Sequence, residues 1–297
     1  VESEKTEFIS VSCVGIVVAA NAGGAFSPFG DITTLMVWQK GIIQFNDFFN
    51  LFIPSMVNYL VPASIMHFFI EKGVPSGGKG SAYKVKPGGY GIVLLFLLTI
   101  TTAITFHNYL HLPSALGMLM GLAYLKFFGF YLRKRYKQEQ LEIDSIPSSK
   151  SNNSSFNIFD HIASSEWDTL FFFYGVILSV SGLGFIGYLS ISSEMIYGEL
   201  GPTLANILVG MISAIIDNIP VMFAILNMHP DMDQSQWLLV TLTAGVGGSL
   251  LSVGSAAGVA LMGQAKGNYT FMSHLKWTPV ISMGYFASIY THFIFNT

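Results

Sequence analysis

Charge is what this sequence has least of. Only 10% of its 297 residues are Asp, Glu, Lys or Arg, against 52% apolar, and the mean hydropathy is +0.55. Soluble domains of this length seldom look like that, whereas membrane proteins do. The lone cysteine, Cys13, excludes an intrachain disulfide and sits in an apolar run, where buried filler is its expected role. No basic patch with interleaved aromatics is present, so nothing points to nucleic acid. The histidines (His67, His107, His111, His161, His229, His274 and His292) lie mostly at the ends of apolar runs or in loops and show no metal-ligand spacing, so packing is expected of them. The chain also lacks an initiating methionine and a signal-peptide pattern. It opens Val-Glu-Ser-Glu-Lys, and is expected to be a fragment whose N-terminal spans are missing.

What is present is a series of apolar runs near the ~20 residues that cross a bilayer. They predict an all-α polytopic membrane protein with about seven crossings and one re-entrant hairpin. Residues 1–70 hold a broken helix over 8–38 and a span over 45–70, with Pro54 and Pro62 as kinks. A Gly/Lys-rich loop covers 71–88, and two spans occupy 89–132. A polar linker follows over 133–165, Ser/Asn-rich and flexible in its middle, with an interfacial helix expected over 156–162. Residues 166–297 then supply a span (167–189), a hairpin (203–228), a second broken helix (236–263) and a last span (275–295). The hairpin is predicted because Asp217-Asn218-Ile219-Pro220 cuts residues 203–228 into two arms, each too short to cross alone.

The first broken helix organises the rest. Ala19–Trp38 reads A-A-N-A-G-G-A-F-S-P-F-G-D-I-T-T-L-M-V-W, placing glycines, a proline, an aspartate and two threonines inside an apolar run. Each unpaired backbone group in hydrocarbon costs several kcal/mol, so such a break survives only inside protein or beside an aqueous cavity. An ionisable Asp31 within it is a functional-site hypothesis by default. An offset of 224 residues lays Ala20, Gly23, Gly24 and Gly30 on Ala244, Gly247, Gly248 and Gly254, and Asp31 on Ser255. Paired interruptions of this kind point to a secondary transporter's site; the rival reading of Gly247–Gly258 is a close helix-packing surface. The positive-inside rule adds an independent check. Every one of the 14 basic residues except Lys40 falls on the face of loops 71–88 and 133–165, which makes that face cytoplasmic. The two broken segments then run in opposite directions, as an inverted repeat requires.

Three carboxylates lie in or at the edge of apolar runs: Asp31, Asp168 and Asp217. Oxygen-bearing side chains gather where the helices break: Asn21, Ser27, Thr33, Thr34, Ser213, Asn218, Ser252 and Ser255. Hard cations such as sodium prefer these ligands to Cys or Met. Desolvation favours the neutral form of any buried carboxylate, so one aspartate can hold either a proton or a sodium ion. With alternating access, that exclusion yields antiport. Asp168 can also be a solvated helix-end charge, and Ser213, four residues before Asp217, is expected on the same helix face.

At N-A-G-G-A-F-S-P-F-G-D-I-T-T and S-A-I-I-D-N-I-P, with W-D-T at Trp167–Thr169, G-G-S at Gly247–Ser249 and G-S-A-A-G-V-A at Gly254–Ala260, the chain resembles the NhaD-type sodium/proton antiporters of the ion-transporter superfamily. The resemblance implies exchange of Na⁺ or Li⁺ for H⁺, no cofactor beyond these transported ions, and no enzymatic activity. It maps the ion site onto Asn21, Asp31, Thr33, Thr34, Asp168, Thr169, Ser213, Asp217, Asn218, Ser252 and Ser255, with Na⁺ at Asp31, Asp217 and Asn218. It further implies two inverted repeats, each with one re-entrant hairpin and one broken helix, in a bilayer, the bacterial inner membrane being the expected one, and a possible homodimer. The family carries another hairpin with an Asp-Asn pair upstream, which is not in this chain. Three rival functions fit parts of the sequence: dicarboxylate or arsenite transport on the same architecture, an intramembrane aspartyl protease, and a non-transporting piece needing its N-terminal half. The protease reading is disfavoured because Asp31 follows Pro28-Phe29-Gly30 rather than a G-x-G-D pattern.

Overall fold

The computed structural model describes residues 2–70, 88–143 and 167–296. Every regular element among them is helical: α1 (Glu2–Ala25), α2 (Ile32–Gln39), α3 (Phe52–Phe69), α4 (Gly89–Asn108), α5 (Ser114–Ile143), α6 (Trp167–Phe185), α7 (Tyr188–Ser193), α8 (Glu199–Ile212), α9 (Asn218–Met228), α10 (Gln234–Gly247), α11 (Ala256–Gln264), α12 (Phe271–Leu275) and α13 (Thr278–Asn296), with a 3₁₀ turn at Phe45–Leu51 and a π turn at Glu194–Gly198. Five described segments are long and apolar enough to cross a membrane: Glu7–Ala25, Phe45–Phe69, Gly89–Asn108, Ser114–Lys134 and Tyr188–Ile212. The chain belongs to a polytopic membrane protein. It divides into two compact units, Val1–Gly73 with Trp167–Thr297, and Val74–Glu166.

The larger unit is built around α10. From Trp237 to Gly247 every residue of that helix is buried, as befits a helix that is enclosed on all sides. Helices α1, α2, α3, α8, α9 and α13 pack around it. Between apolar helices in lipid there is little hydrophobic drive, so small residues and interhelical hydrogen bonds hold the seams. The α8–α10 seam uses both. A methyl group on Gly210 would lie 2.6 Å from the Thr243 carbonyl oxygen, and Gly247 rests directly on the Gly210 carbonyl. Thr243 Oγ1 donates to Asn206 O at 2.9 Å, Asn206 Nδ2 to Gln236 O at 3.0 Å, and Tyr285 Oη of α13 to Ile207 O at 2.8 Å. Gly247 is therefore a packing glycine as well as the end of a helix.

The smaller unit is an antiparallel pair, α4 with α5. Gly117 sits against Ala103 and Gly121 against Thr99, four residues apart on each helix, a small-residue seam that lets the backbones approach. The tight turn between them takes His111 to φ 51.

Several boundaries differ from the sequence expectation. Helix α1 begins at Glu2 rather than Phe8, and α5 continues through Arg133 to Ile143 instead of ending at Leu132. Polar residues such as Glu, Lys, Arg and Gln are good helix formers, so hydropathy falls at these points while helicity does not. Pro62 lies inside α3, and Pro54 falls in its first turn, where the missing N–H is an orphan anyway. The first arm of the expected hairpin is part of a longer helical run from Tyr188, bent at Gly201 (φ 75, ψ 158) before Pro202. Ser213 and Asp217 do not share a helix face. They cap the C-terminus of α8 and the N-terminus of α9, with turns between. The expected interfacial helix over 156–162 lies outside the described residues, as does most of the 71–88 loop.

Gly210→Ala tests the α8–α10 seam. Its new methyl meets backbone that cannot swing aside, so we expect the purified protein in detergent to lose about 1–3 kcal/mol of stability on thermal unfolding. Gly263→Ala, which adds its methyl in open space on α11, is expected to melt no lower than the parent.

Candidate ion-binding site

Three interruptions in the larger unit define the site. The first separates α1 from α2. Asp31 caps α2 in an extended conformation (φ −141, ψ 159): Oδ1 accepts from Ile32 N at 2.7 Å and Oδ2 from Thr33 Oγ1 at 2.9 Å. Thr34 closes the turn on itself. Its Oγ1 accepts from Asp31 N at 3.3 Å and lies 2.8 Å from each of the Ser27 and Asp31 carbonyl oxygens, to which it donates. The glycines are needed by contact. A methyl on Gly24 would stand 3.1 Å from Gly30 O and 3.2 Å from Asp31 Cβ.

The second interruption separates α10 from α11 and repeats that geometry 224 residues later. Ser255 caps α11 with φ −148, ψ 150, its Oγ accepting from Gly258 N at 3.4 Å. A methyl on Gly248 would stand 2.6 Å from Gly254 O and 3.3 Å from Ser255 Cβ. Helices α2 and α11 start at equivalent positions, Ile32 and Ala256. The third interruption is the turn between α8 and α9, which Asp217 ends as the N-cap of α9.

These turns touch pairwise. Asn218 Nδ2 donates to Asp31 Oδ2 at 2.7 Å, joining the third to the first. Asn21, in the last turns of α1, donates through Nδ2 to Ser255 Oγ at 3.0 Å, joining the first to the second. Ser213 Oγ donates to Ala244 O at 2.8 Å, and a methyl on Gly254 would lie 2.5 Å from Ala214 O, joining the second to the third. The Asp217 and Asp31 carboxylates are near enough to repel one another. Thr33, Thr34, Ser213, Asn218, Ser252 and Ser255 are buried, while Asn21, Asp31 and Asp217 are partly so.

The candidates from sequence thus mostly converge. Ser252 is buried beside them, its hydroxyl directed to Met262 Sδ at 3.4 Å, and Ser27 Oγ accepts from Phe29 N at 3.4 Å. Asp168 does not join: it is exposed in the first turn of α6 and makes none of these bonds. The side chain of Thr169 lies outside the described residues. Two contributors were not singled out in the sequence. His274 and Thr278 donate to the Ser249 and Leu250 carbonyls of the second interruption. A histidine at the end of an apolar run carries no signal that separates this role from packing.

Chemically, the arrangement offers two partly buried carboxylates, an amide oxygen, hydroxyls and unwound carbonyls in one place. That is a donor set for a hard monovalent cation, with protonation of a carboxylate as its competitor.

Residues 4–245 match the family model described as Citrate transporter (CitMHS). The chain is 54% identical over 305 residues to the Na(+)/H(+) antiporter NhaD of Vibrio cholerae, a match covering 100% of this chain and 64% of that protein. It is 52% identical to the Na(+)/H(+) antiporter NhaD of Vibrio parahaemolyticus, covering 96% of this chain and 71% of that one. Sodium/proton antiporter 2 of Arabidopsis thaliana is 32% identical over 93% of this chain and 65% of its own length. The chain spans 60–64% of the length of the NhaD proteins of Vibrio cholerae, Alkalimonas amylolytica and Halomonas elongata. No solved structure matches the chain significantly.

Thr34→Val probes the first interruption directly. It keeps the shape and removes the hydroxyl that serves Asp31 N and the Ser27 carbonyl, so thermal stability should fall by about 1–3 kcal/mol; Thr34→Ser, which keeps the hydroxyl, should recover most of it.

Proposed function

The chain belongs to the citrate transporter family and to the NhaD sodium/proton antiporters, and from that premise we propose that the protein containing it exchanges Na⁺ or Li⁺ for H⁺ across a membrane. The observation that carries this reading is the Asn218–Asp31 bond. It brings the hairpin turn and the first broken helix to one place, with the Asp217 carboxylate beside them.

The mechanism follows from the charges. Two carboxylates that repel each other in a poorly hydrated site gain from any cation between them, and a sodium ion or a proton supplies that positive charge. Side-chain oxygens of Asp31, Asp217 and Asn218 hold the sodium ion, with the hydroxyls of Thr33, Thr34, Ser213, Ser252 and Ser255, the Asn21 side chain and unwound carbonyls around them. The N-terminal ends of α2 and α9 steady the Asp31 and Asp217 carboxylates that cap them, while the C-terminal ends of α1, α8 and α10 turn their carbonyls into the same breaks. Protonation of one aspartate withdraws half of the negative charge, and the sodium ion leaves. Because the two ligands exclude each other, a site that faces each side of the membrane in turn exchanges one for the other.

The equivalence of Asp31 with Ser255 and of Gly24–Gly30 with Gly248–Gly254 supports an inverted repeat, and the turn that Asp217 ends between the short helices α8 and α9 supports a re-entrant hairpin. Hydrogen bonds between Asn296 and Asn50 and between Gln234 and Asp47 gather the Lys40-bearing end of the larger unit. The excess of basic residues in the 71–88 and 133–165 loops supports an orientation in which those loops face the cytoplasm of a bacterial cell. Transport of a dicarboxylate or another anion by the same architecture is disfavoured, because an anion would meet Asp31 and Asp217 as like charges.

Proteoliposomes with an internal pH dye test the reading. Adding Na⁺ or Li⁺ should release protons, and adding succinate or arsenite should not. Asp217→Ala and Asp31→Ala should each reduce the sodium-driven signal to background, whereas Asp168→Asn, with its exposed side chain, should retain it within about tenfold. Unchanged exchange in Asp217→Ala refutes the assignment.

A further inference from the structure

The two interruptions match in their glycines and caps, yet they are held in different ways. In the first, Thr34 reaches back from α2 and its hydroxyl donates to the Ser27 carbonyl at 2.8 Å. The position 224 residues on is Gly258, which has no side chain. None would fit there, because Gly258 lies directly on the Ser252 carbonyl. The second interruption therefore lacks a counterpart of Thr34, and its own Ser249 hydroxyl is spent on the Val246 carbonyl at 2.6 Å, leaving the Ser249 and Leu250 carbonyls to other partners.

Those carbonyls are met from the segment that follows α11. His274 Nε2 is 2.9 Å from Ser249 O, and Thr278 Oγ1 donates to Leu250 O at 2.8 Å. His274 is fully buried, and its other ring nitrogen, Nδ1, is 2.7 Å from the hydroxyl of Tyr269, which is 1% exposed. A carbonyl oxygen only accepts, so Nε2 carries the proton. In the neutral ring Nδ1 then accepts from Tyr269 Oη, which fixes tautomer and ring orientation together. Ser249 and Leu250 are neighbours in the chain, and the backbone that leads from them reaches Ser252 and Ser255 within the same turn.

We propose that His274, oriented by Tyr269 and assisted by Thr278, is a positioning residue for the ion site: it holds the Ser249 and Leu250 carbonyls away from the ion and so fixes which oxygens of the second interruption face it. This rests on the antiporter reading. His274 touches no ion. It acts through the backbone, on carbonyls one and two residues before Leu251, the position equivalent to the Ser27 that Thr34 holds in the first interruption.

The test is sodium-driven proton exchange by the protein carrying this chain, reconstituted in proteoliposomes, with half-saturating Na⁺ concentration and maximal rate measured separately. His274→Ala should raise the half-saturating concentration about tenfold while the maximal rate changes less than about threefold. His274→Gln, whose Nε2 can still donate to Ser249 O, should bring it back to within about threefold of the parent. Thr278→Val, which keeps the side-chain shape, should raise it several-fold and answers the question if His274→Ala does not fold. An unaltered half-saturating concentration in a folded His274→Ala or Thr278→Val, or no recovery in His274→Gln, overturns the proposal. Failure of the parent to exchange under the same conditions sinks the antiporter reading itself, an outcome distinct from either.

Discussion

A helix broken inside a bilayer leaves amides and carbonyls that no water can satisfy, and the larger unit is arranged around that constraint. Each broken end exposes up to four such groups, and three breaks in one region would be prohibitive if each stood alone. They do not stand alone. Side chains from one break or its neighbour serve another: Thr34 and Asp31 within the first, Asn218 between third and first, Asn21 between first and second, Ser213 between third and second. The closed triangle of contacts makes the breaks tolerable, and it also concentrates oxygen ligands in one place.

Glycine and buried polar side chains do complementary work in that triangle. Gly24 against Gly30, Gly248 against Gly254 and Gly258 against Ser252 bring backbone to within contact of backbone, so carbonyls lie where side chains would otherwise stand. The central helix α10 is enclosed because its neighbours reach it through Gly210 and Gly247. Two requirements that could conflict, close packing and exposed carbonyls for an ion, are met by the same residues.

Much of this was legible in the sequence. An aspartate among glycines in an apolar run can hardly be anything but a deliberate break, and the recurrence at Gly248–Ser255 located the second. The Asp217–Pro220 cut located the third. What the sequence hid has physical causes. Helix ends at Glu2 and Ile143 were missed because polar residues with high helix propensity extend a helix beyond its apolar part. The Ser213–Asp217 pair was misplaced because spacing presumes a continuous helix, and that stretch is a turn. The bend at Gly201 and the π turn before it leave no periodic trace. His274 was invisible as a positioning group, since its partner is a backbone carbonyl 25 positions away, and carbonyls have no sequence signature.

The asymmetry between the interruptions bears on how such a site can move. In the first, the holding group Thr34 belongs to the half-helix it steadies, so turn and helix travel together. In the second, the holding groups lie on the connection into α13, which packs along α3. Any displacement of the second interruption relative to α3 and α13 must therefore strain or exchange the His274 and Thr278 bonds, whereas displacement of the first leaves Thr34 undisturbed. A hydrogen bond to a carbonyl in this setting contributes on the order of 1 kcal/mol, small enough to be exchanged at thermal cost and large enough to favour one position over another. Of two nearly equivalent breaks, one closes its own turn through Thr34 while the other is closed from α12 and α13, so the flank of the proposed ion site that the second break supplies is the one that responds to the helices around it.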